Sequence, residues 1–131
     1  MLARVDSSLF LYILGDMEKQ DVIAALAALA QETRLDIFRL LVETGPSGLA
    51  AGEVATALDL PSATLSFHLK ELKSAGLIRL ERAGRSRIYS PDFGAATDLI
   101  GFLTANCCQR AGGVAAECKV DAENAWPSES R

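Results

Sequence analysis

Apolar residues follow a helical period in five segments of the chain. Val22, Leu26 and Leu29 are spaced by four and three residues, which predicts an amphipathic helix over 19–30. Four further segments show a similar period and are predicted helices: 33–44, 51–58, 62–75 and 93–107. The segment 33–44 should end at Gly45-Pro46, because proline cannot continue a helix. The short turn between 51–58 and 62–75 makes that pair typical of a helix-turn-helix.

The period changes after Gly76. Residues 77–82 and 86–90 are rich in strand-forming side chains, and 83–85 contain the glycine expected of a hairpin turn. We therefore predict a mainly α (α+β) fold, a winged helix-turn-helix whose wing is a two-stranded β-hairpin. The predicted domain covers 19–107, between an N-terminal extension over 1–18 and a flexible tail over 108–131.

Charge is distributed unevenly along the chain. The whole sequence carries a formal net charge of −4, which alone argues against a nucleic-acid partner. Residues 62–90, however, carry six basic and two acidic groups, so the positive charge is concentrated in the predicted helix and wing. A solvated basic face would look similar, but a basic helix followed by a basic hairpin favours DNA binding.

The helix over 62–75 has one apolar face, formed by Leu65, Leu69 and Leu72, so its opposite face is expected to reach the major groove. His68 lies nearer the apolar face, which leaves two roles open, an internal hydrogen bond or a DNA contact. Arginines in the wing suit phosphate or minor-groove contact. The candidate DNA-binding residues are Ser62, Ala63, Thr64, Ser66, Phe67, His68, Lys70, Lys73, Arg82, Arg85 and Arg87.

Two segments resemble the ArsR/SmtB family of metal-responsive repressors. Residues 28–37 (ALAQETRLDI) resemble its first motif, and residues 65–78 (LSFHLKELKSAGLI) resemble its recognition-helix signature. Gly84-Arg85 and Tyr89 resemble its wing, so the likeness covers about 20–105. The resemblance implies a homodimer formed through the first and last helices. It also implies that the ligand-free protein binds a palindromic promoter and that an inducer lowers its DNA affinity.

The three cysteines, Cys107, Cys108 and Cys118, are the candidate metal ligands. An odd number of cysteines does not form a disulfide framework, and their placement suggests thiol chemistry in a reducing, cytoplasmic compartment. The Cys-Cys pair with a third cysteine downstream resembles an arsenic-responsive subset of the family, which implies As(III), or Sb(III), as inducer. Thiolates are the ligands that soft ions prefer. No organic cofactor is expected.

Other functions stay open at this point. The thiols could sense oxidation or another soft metal ion, and Cys107 could simply extend the apolar stripe of Leu99 and Leu103. A zinc site on the last helix is not expected, since the chain has a single histidine. An arsenate-reductase-like thiol enzyme is a remote alternative, because no arginine follows either adjacent cysteine at the spacing of a phosphate loop. We therefore expect no enzyme activity. No segment approaches the roughly 20 apolar residues of a membrane span, so no membrane partner is expected either.

Overall fold

The computed structural model describes residues 17–111, which form helices around a small antiparallel sheet. In chain order the elements of this region are α1 (Lys19–Leu29), α2 (Glu32–Thr44), β1 (Leu49–Ala50), α3 (Ala51–Leu58), α4 (Ser62–Ser74), β2 (Ile78–Ala83), β3 (Ser86–Pro91), α5 (Phe93–Thr104) and a 3₁₀ turn (Gln109–Ala111). This arrangement confirms the predicted winged helix-turn-helix. Within 17–111, no helix is both long enough and apolar enough to cross a membrane.

The sheet contains one strand more than the sequence predicted. The hairpin of β2 and β3 is present, and β1 pairs with the other side of β3, giving the order β1-β3-β2. Leu49 pairs with Tyr89 and Ala50 with Ile88. The third strand attaches the base of the wing to the segment that leads into α3, so wing and helix-turn-helix form one unit.

The core lies where α2 and α4 pack against the sheet. Ile37 and Leu41 of α2 and Leu65 and Leu72 of α4 are almost completely buried, together with Leu77. The predicted apolar face of α4 is therefore confirmed. Burying each such side chain stabilises the fold by about 1.5–3 kcal/mol.

The prediction for the first helix was partly wrong. Val22 is buried as expected, but its buried neighbours on α1 are Ala25 and Ala28, whereas Leu26 is 42% exposed. Alanines allow α1 to approach the other helices closely, and the larger side chains then face outward. α1 and α5 expose the outer apolar face, which we define as Ile23, Leu26, Ile100, Phe102 and Leu103.

The predicted end of the last helix was also wrong. α5 ends at Thr104, where the hydroxyl donates to the carbonyl of Ile100 at 2.9 Å, rather than at residue 107. Asn106 and Cys108 then adopt positive φ angles of 60° and 65°, which an α-helix does not allow. Cys107 is consequently exposed and does not extend the apolar stripe of α5.

Residues 1–16 and 112–131 lie outside the described part of the chain. Most of the predicted N-terminal extension, most of the predicted tail and Cys118 fall there. The proposed domain limits stay predictions.

Gly48 is expected to be essential to the junction between β1 and β3. Its φ is +70°, and an added Cβ would overlap the carbonyl oxygen of Tyr89 and lie 3.0 Å from Cγ2 of Ile88. Gly45 in the same loop has a φ of +96° but open space around it, which makes it a matched control. Gly45→Ala should lower the free energy of unfolding by about 1–3 kcal/mol from backbone strain alone, because its φ of 96° and ψ of −167° lie in a region that essentially only glycine adopts.

Gly48→Ala should cost at least about 1 kcal/mol more than Gly45→Ala, because overpacking adds to the strain. Urea denaturation of both variants measures the difference. Equal losses would contradict a close approach of Gly48 to β3.

Candidate nucleic-acid interface

The turn between α3 and α4 fixes the orientation of α4. Asp59 ends α3 in the left-handed region at φ 53°, and the Leu60 amide donates to the carbonyl of Ala55 at 3.0 Å. Pro61 precedes α4 in extended backbone, and its carbonyl accepts from Leu65 at 3.0 Å. The short turn thus sets α4 so that its leucine face meets the core and its other face meets solvent.

The structure places nearly all candidate DNA-binding residues on one exposed surface. On α4 the exposed members are Ser62, Ala63, Thr64, Ser66, Phe67, Lys70 and Lys73. Phe67 is 55% exposed, as expected for a residue on the outward side of the helix. His68 is the exception at 9% exposure. DNA contact by any of these residues stays a prediction.

The wing presents its arginines close together. β2 and β3 pair in register from Ile78–Pro91 to Ala83–Ser86, which places Arg82 directly opposite Arg87. Gly84, with φ +64°, and Arg85 form the tip. Neither Arg82, Arg85 nor Arg87 has a carboxylate partner among the described residues. Like charges at directly opposite positions repel, so an anion at the wing would relieve this repulsion.

A basic cleft joins α4 to the wing. It measures about 280 Å³, and Ser66, Lys70, Lys73, Arg87 and Tyr89 are among its lining residues, with no carboxylate. Three cations around a concave surface without a counter-ion match the needs of a polyanion backbone. The cleft connects the helix and wing halves of the candidate surface.

Arg34 is a contributor that sequence reasoning missed. It lies on α2, and its Nε donates to Nδ1 of His68 at 3.1 Å, while Cζ lies 5.8 Å from the centroid of the Phe67 ring. Sequence separations of 33 and 34 residues gave no local signal for these contacts. The sequence left two roles open for His68, an internal hydrogen bond or a DNA contact, and the structure contains the internal hydrogen bond.

The environment of His68 favours its neutral form. Burial lowers the pKa of His68 below its ordinary value of 6.5, and the charge of Arg34 lowers it further, against a smaller opposing effect of Glu71. Since Nδ1 accepts a hydrogen bond, the neutral ring carries its proton on Nε2.

The cysteine pair follows α5 in the chain and does not line the cleft between α4 and the wing. The sulfur atoms of Cys107 and Cys108 are 3.3 Å apart. Cys107 is a free, exposed thiol, and Cys108 is disulfide-bonded. Among residues 17–111 no three histidine, cysteine or acidic side chains are grouped to hold a metal ion. The third candidate ligand, Cys118, lies outside that range.

Sequence comparison identifies relatives of the chain. Residues 29–81 match a family model described as a helix-turn-helix domain. The transcriptional activator HlyU of Vibrio cholerae is 30% identical over 98 residues, which cover 73% of this chain and 88% of that protein. The relatives found are transcriptional regulators rather than enzymes.

Solved structures show the same architecture. An ArsR-like regulator from Rhodococcus superposes with a TM-score of 0.63 at 24% identity, over 75% of this chain and 90% of that one, which shows the shared fold. The reduced form of V. cholerae HlyU matches with a TM-score of 0.52 at 25% identity, over 66% and 90% of the two chains. A homodimeric winged helix-turn-helix DNA-binding domain from Mycobacterium bovis, of a possible ArsR-family regulator, matches at 0.55 and 26%, over 72% and 85%.

The extent of the HlyU match and the helix-turn-helix with its attached wing support one conclusion: this chain belongs to the ArsR/SmtB family of winged-helix transcriptional regulators.

Proposed function

We propose that the chain is a cytoplasmic homodimeric repressor that binds operator DNA and releases it when As(III), or Sb(III), binds Cys107, Cys108 and Cys118. The observation that carries the DNA-binding part is the exposed basic surface of α4 and the wing, whose central cleft has no acidic lining. HlyU is an activator, so the direction of regulation is inferred from the family resemblance and from the inducer chemistry.

The two parts of the surface suit different parts of DNA. α4 exposes small polar residues and Phe67 near its start, where a recognition helix contacts base edges. Lys70, Lys73 and Arg87 surround the cleft behind it, where a phosphate would be bound. We infer that α4 reads sequence and that the wing and cleft set its register on the backbone.

Homodimer formation is supported by the outer apolar face. Ile100 is 64% exposed and Leu103 is 59% exposed on α5, and Ile23 is 53% exposed on α1. An exposed cluster of large apolar side chains on neighbouring helices indicates an interface with a partner. The homodimeric domain of M. bovis offers a precedent for a second copy as that partner.

The arsenite site is supported by the geometry beyond α5. Bonds of roughly 2.3 Å, as in zinc thiolate sites, place two sulfurs that share an ion about 3–4 Å apart. The sulfur atoms of Cys107 and Cys108 lie 3.3 Å apart, so little rearrangement is required once Cys108 is reduced. The helix end at Thr104 matters here, because adjacent residues on an intact helix would point about 100° apart.

A thiol-oxidation sensor is the second candidate, and one observation favours it. The free thiol of Cys107 lies 3.3 Å from the disulfide-bonded sulfur of Cys108. A thiolate so close to a disulfide sulfur is placed for thiol–disulfide exchange. One solved structure of V. cholerae HlyU is likewise described as the reduced form of that protein.

The first prediction concerns binding to a duplex that the protein selects from a randomised DNA library. The protein should sediment as a dimer at about micromolar concentration, and log affinity should fall linearly with log salt concentration, by roughly 0.9 per neutralised phosphate. Arg82→Gln should reduce that slope by about 1. Arg39→Gln is the matched control, since Arg39 is an exposed arginine of α2 paired with Glu43 outside the candidate surface.

A monomer that binds DNA without salt dependence would contradict both the dimer and the interface. Equal salt dependence of binding for the parent and Arg82→Gln would exclude the wing from the proposed interface but would not exclude α4.

A second prediction concerns Phe67. An exposed aromatic on the reading helix can contact the methyl group of thymine, the one apolar feature of the major groove. Phe67→Ala should weaken binding to the selected duplex by about 1–3 kcal/mol and relax the preference at one A·T pair. Fluorescence anisotropy with singly substituted duplexes measures both effects. Unchanged affinity for every duplex would show that Phe67 only packs within the protein.

The third prediction tests the inducer. Arsenite should release the parent from DNA in reducing buffer, through a coupling of about 1–3 kcal/mol per ligand. Cys107→Ser, Cys108→Ser and Cys118→Ser should each still bind DNA but resist release, because neither described cysteine lines the cleft between α4 and the wing. Anisotropy titrations with arsenite, zinc and peroxide distinguish the candidates. If Cys107→Ser and Cys108→Ser are released from DNA at the same arsenite concentration as the parent, the proposed arsenite site is excluded. If peroxide alone releases the parent from DNA, the protein is an oxidation sensor instead.

A further inference from the structure

Arg34 connects three helices behind the reading surface. It lies at the start of α2, its Nη1 donates to the carbonyl of Ala28 near the end of α1 at 3.5 Å, and its Nε donates to His68 on α4 at 3.1 Å. Its guanidinium thus links a helix of the outer apolar face to the helix that carries the candidate base contacts.

The backbone of Arg34 is also hydrogen-bonded to a side chain. Gln31 caps α2, and its side chain accepts from the Arg34 amide at 2.8 Å. Among residues 17–111, no carboxylate oxygen lies within ion-pair distance of the guanidinium. The group is therefore in contact with a carbonyl, an imidazole nitrogen and an aromatic ring rather than with a carboxylate.

The contact with His68 depends on protonation. Nδ1 can accept from Arg34 only while the ring is neutral, and a protonated ring would direct an N–H at the guanidinium. The charged groups that face His68 in the described residues are Arg34 from α2 and Glu71 from α4 itself, and burial together with Arg34 keeps its pKa low.

The Arg34 guanidinium also lies close to Phe67. The Phe67 ring lies edge-on to His68, with centroids 5.4 Å apart and an interplanar angle of 62°, and Arg34 approaches it to 5.8 Å. Arg34 and His68 thus contact the ring of a residue that is still 55% exposed. A ring ordered before binding loses less freedom on contact with DNA, which favours selective recognition.

We propose that Arg34 is a positioning residue for DNA reading: through His68 and Phe67 it holds the exposed ring and the start of α4 in the orientation that enters the major groove. The proposal rests on the DNA-binding function proposed above. Arg34 itself does not have to touch DNA in this role, and its effect should appear in specificity rather than in the affinity for phosphates.

The test compares Arg34→Gln with Arg39→Gln, which removes the same charge from the same helix. The readout is the ratio of affinities for the library-selected duplex and a scrambled duplex of equal length. Arg34→Gln should reduce that ratio about tenfold with an unchanged salt slope, as expected for a lost base contact rather than a lost phosphate contact. Arg39→Gln should keep the parent's ratio. Circular dichroism and thermal unfolding confirm that both variants are folded.

A double-mutant cycle tests whether Arg34 acts through the ring. Adding Arg34→Gln to Phe67→Ala should lower the ratio by much less than tenfold, because the ring that Arg34 restrains is already absent. Arg34→Lys serves as a second variant if Arg34→Gln fails to fold. Lysine keeps the charge but lacks the forked donors of arginine. Arg34→Lys should therefore also lower the ratio of the two affinities. Full rescue by lysine would show that charge alone matters and would overturn the positioning role.

The pH dependence supplies an independent readout. His68 is the chain's single histidine, and its pKa is lowered, so the contact should be complete above about pH 6.5 and should be lost as pH falls through the lowered value. The specificity of the parent should therefore approach that of Arg34→Gln in acid. A parent that binds both duplexes equally at neutral pH would overturn the DNA-reading function and this role with it. A parent that discriminates, alongside an Arg34→Gln variant that discriminates equally well, would overturn only the role of Arg34.

Discussion

Burial of the leucine face of α4 is the constraint on which the rest of the structure depends. Leu65, Leu69 and Leu72 are almost inaccessible, and they pack where α2 and the sheet meet. Once those side chains are inside, the helical repeat leaves the polar and aromatic side of α4 no position except the surface. The same packing brings His68 against α2, where Arg34 reaches it. Stability and the proposed DNA recognition thus depend on opposite faces of one 13-residue helix.

The charges that line the cleft between α4 and the wing differ in sign from the net charge of the chain. The chain is acidic overall, with a net charge of −4, yet the cleft between α4 and the wing is lined by cations and no carboxylate. At physiological ionic strength charges are screened beyond roughly 8 Å, so a DNA phosphate at the cleft responds mainly to the nearby lysines and arginines. Acidic residues elsewhere then help to oppose non-specific attachment along other faces.

Sequence reasoning predicted most of the fold because the buried faces of α2, α4 and the wing follow strong periodic patterns. It failed where the deciding factor was local backbone geometry or a distant contact. The two-residue strand β1 is too short to show a period, and the end of α5 depends on the hydroxyl of Thr104 and the positive φ of Asn106. The exposure of the candidate surface followed from the helical wheel. Arg34 did not, because its contacts bridge segments far apart in the chain. The candidate metal ligands were nominated from their residue type and from the family resemblance.

The outer apolar face has a consequence for how such a protein would respond to its own abundance. In the proposed homodimer, Ile23, Ile100 and Leu103 are hidden only after two newly made chains meet. The population able to occupy a two-fold operator then grows with the square of the chain concentration while monomers dominate. Low expression would leave the promoter open, and a modest increase would close it steeply. The exposed side chains of two helices would therefore set a threshold on gene dosage, apart from any signal that the cysteines receive.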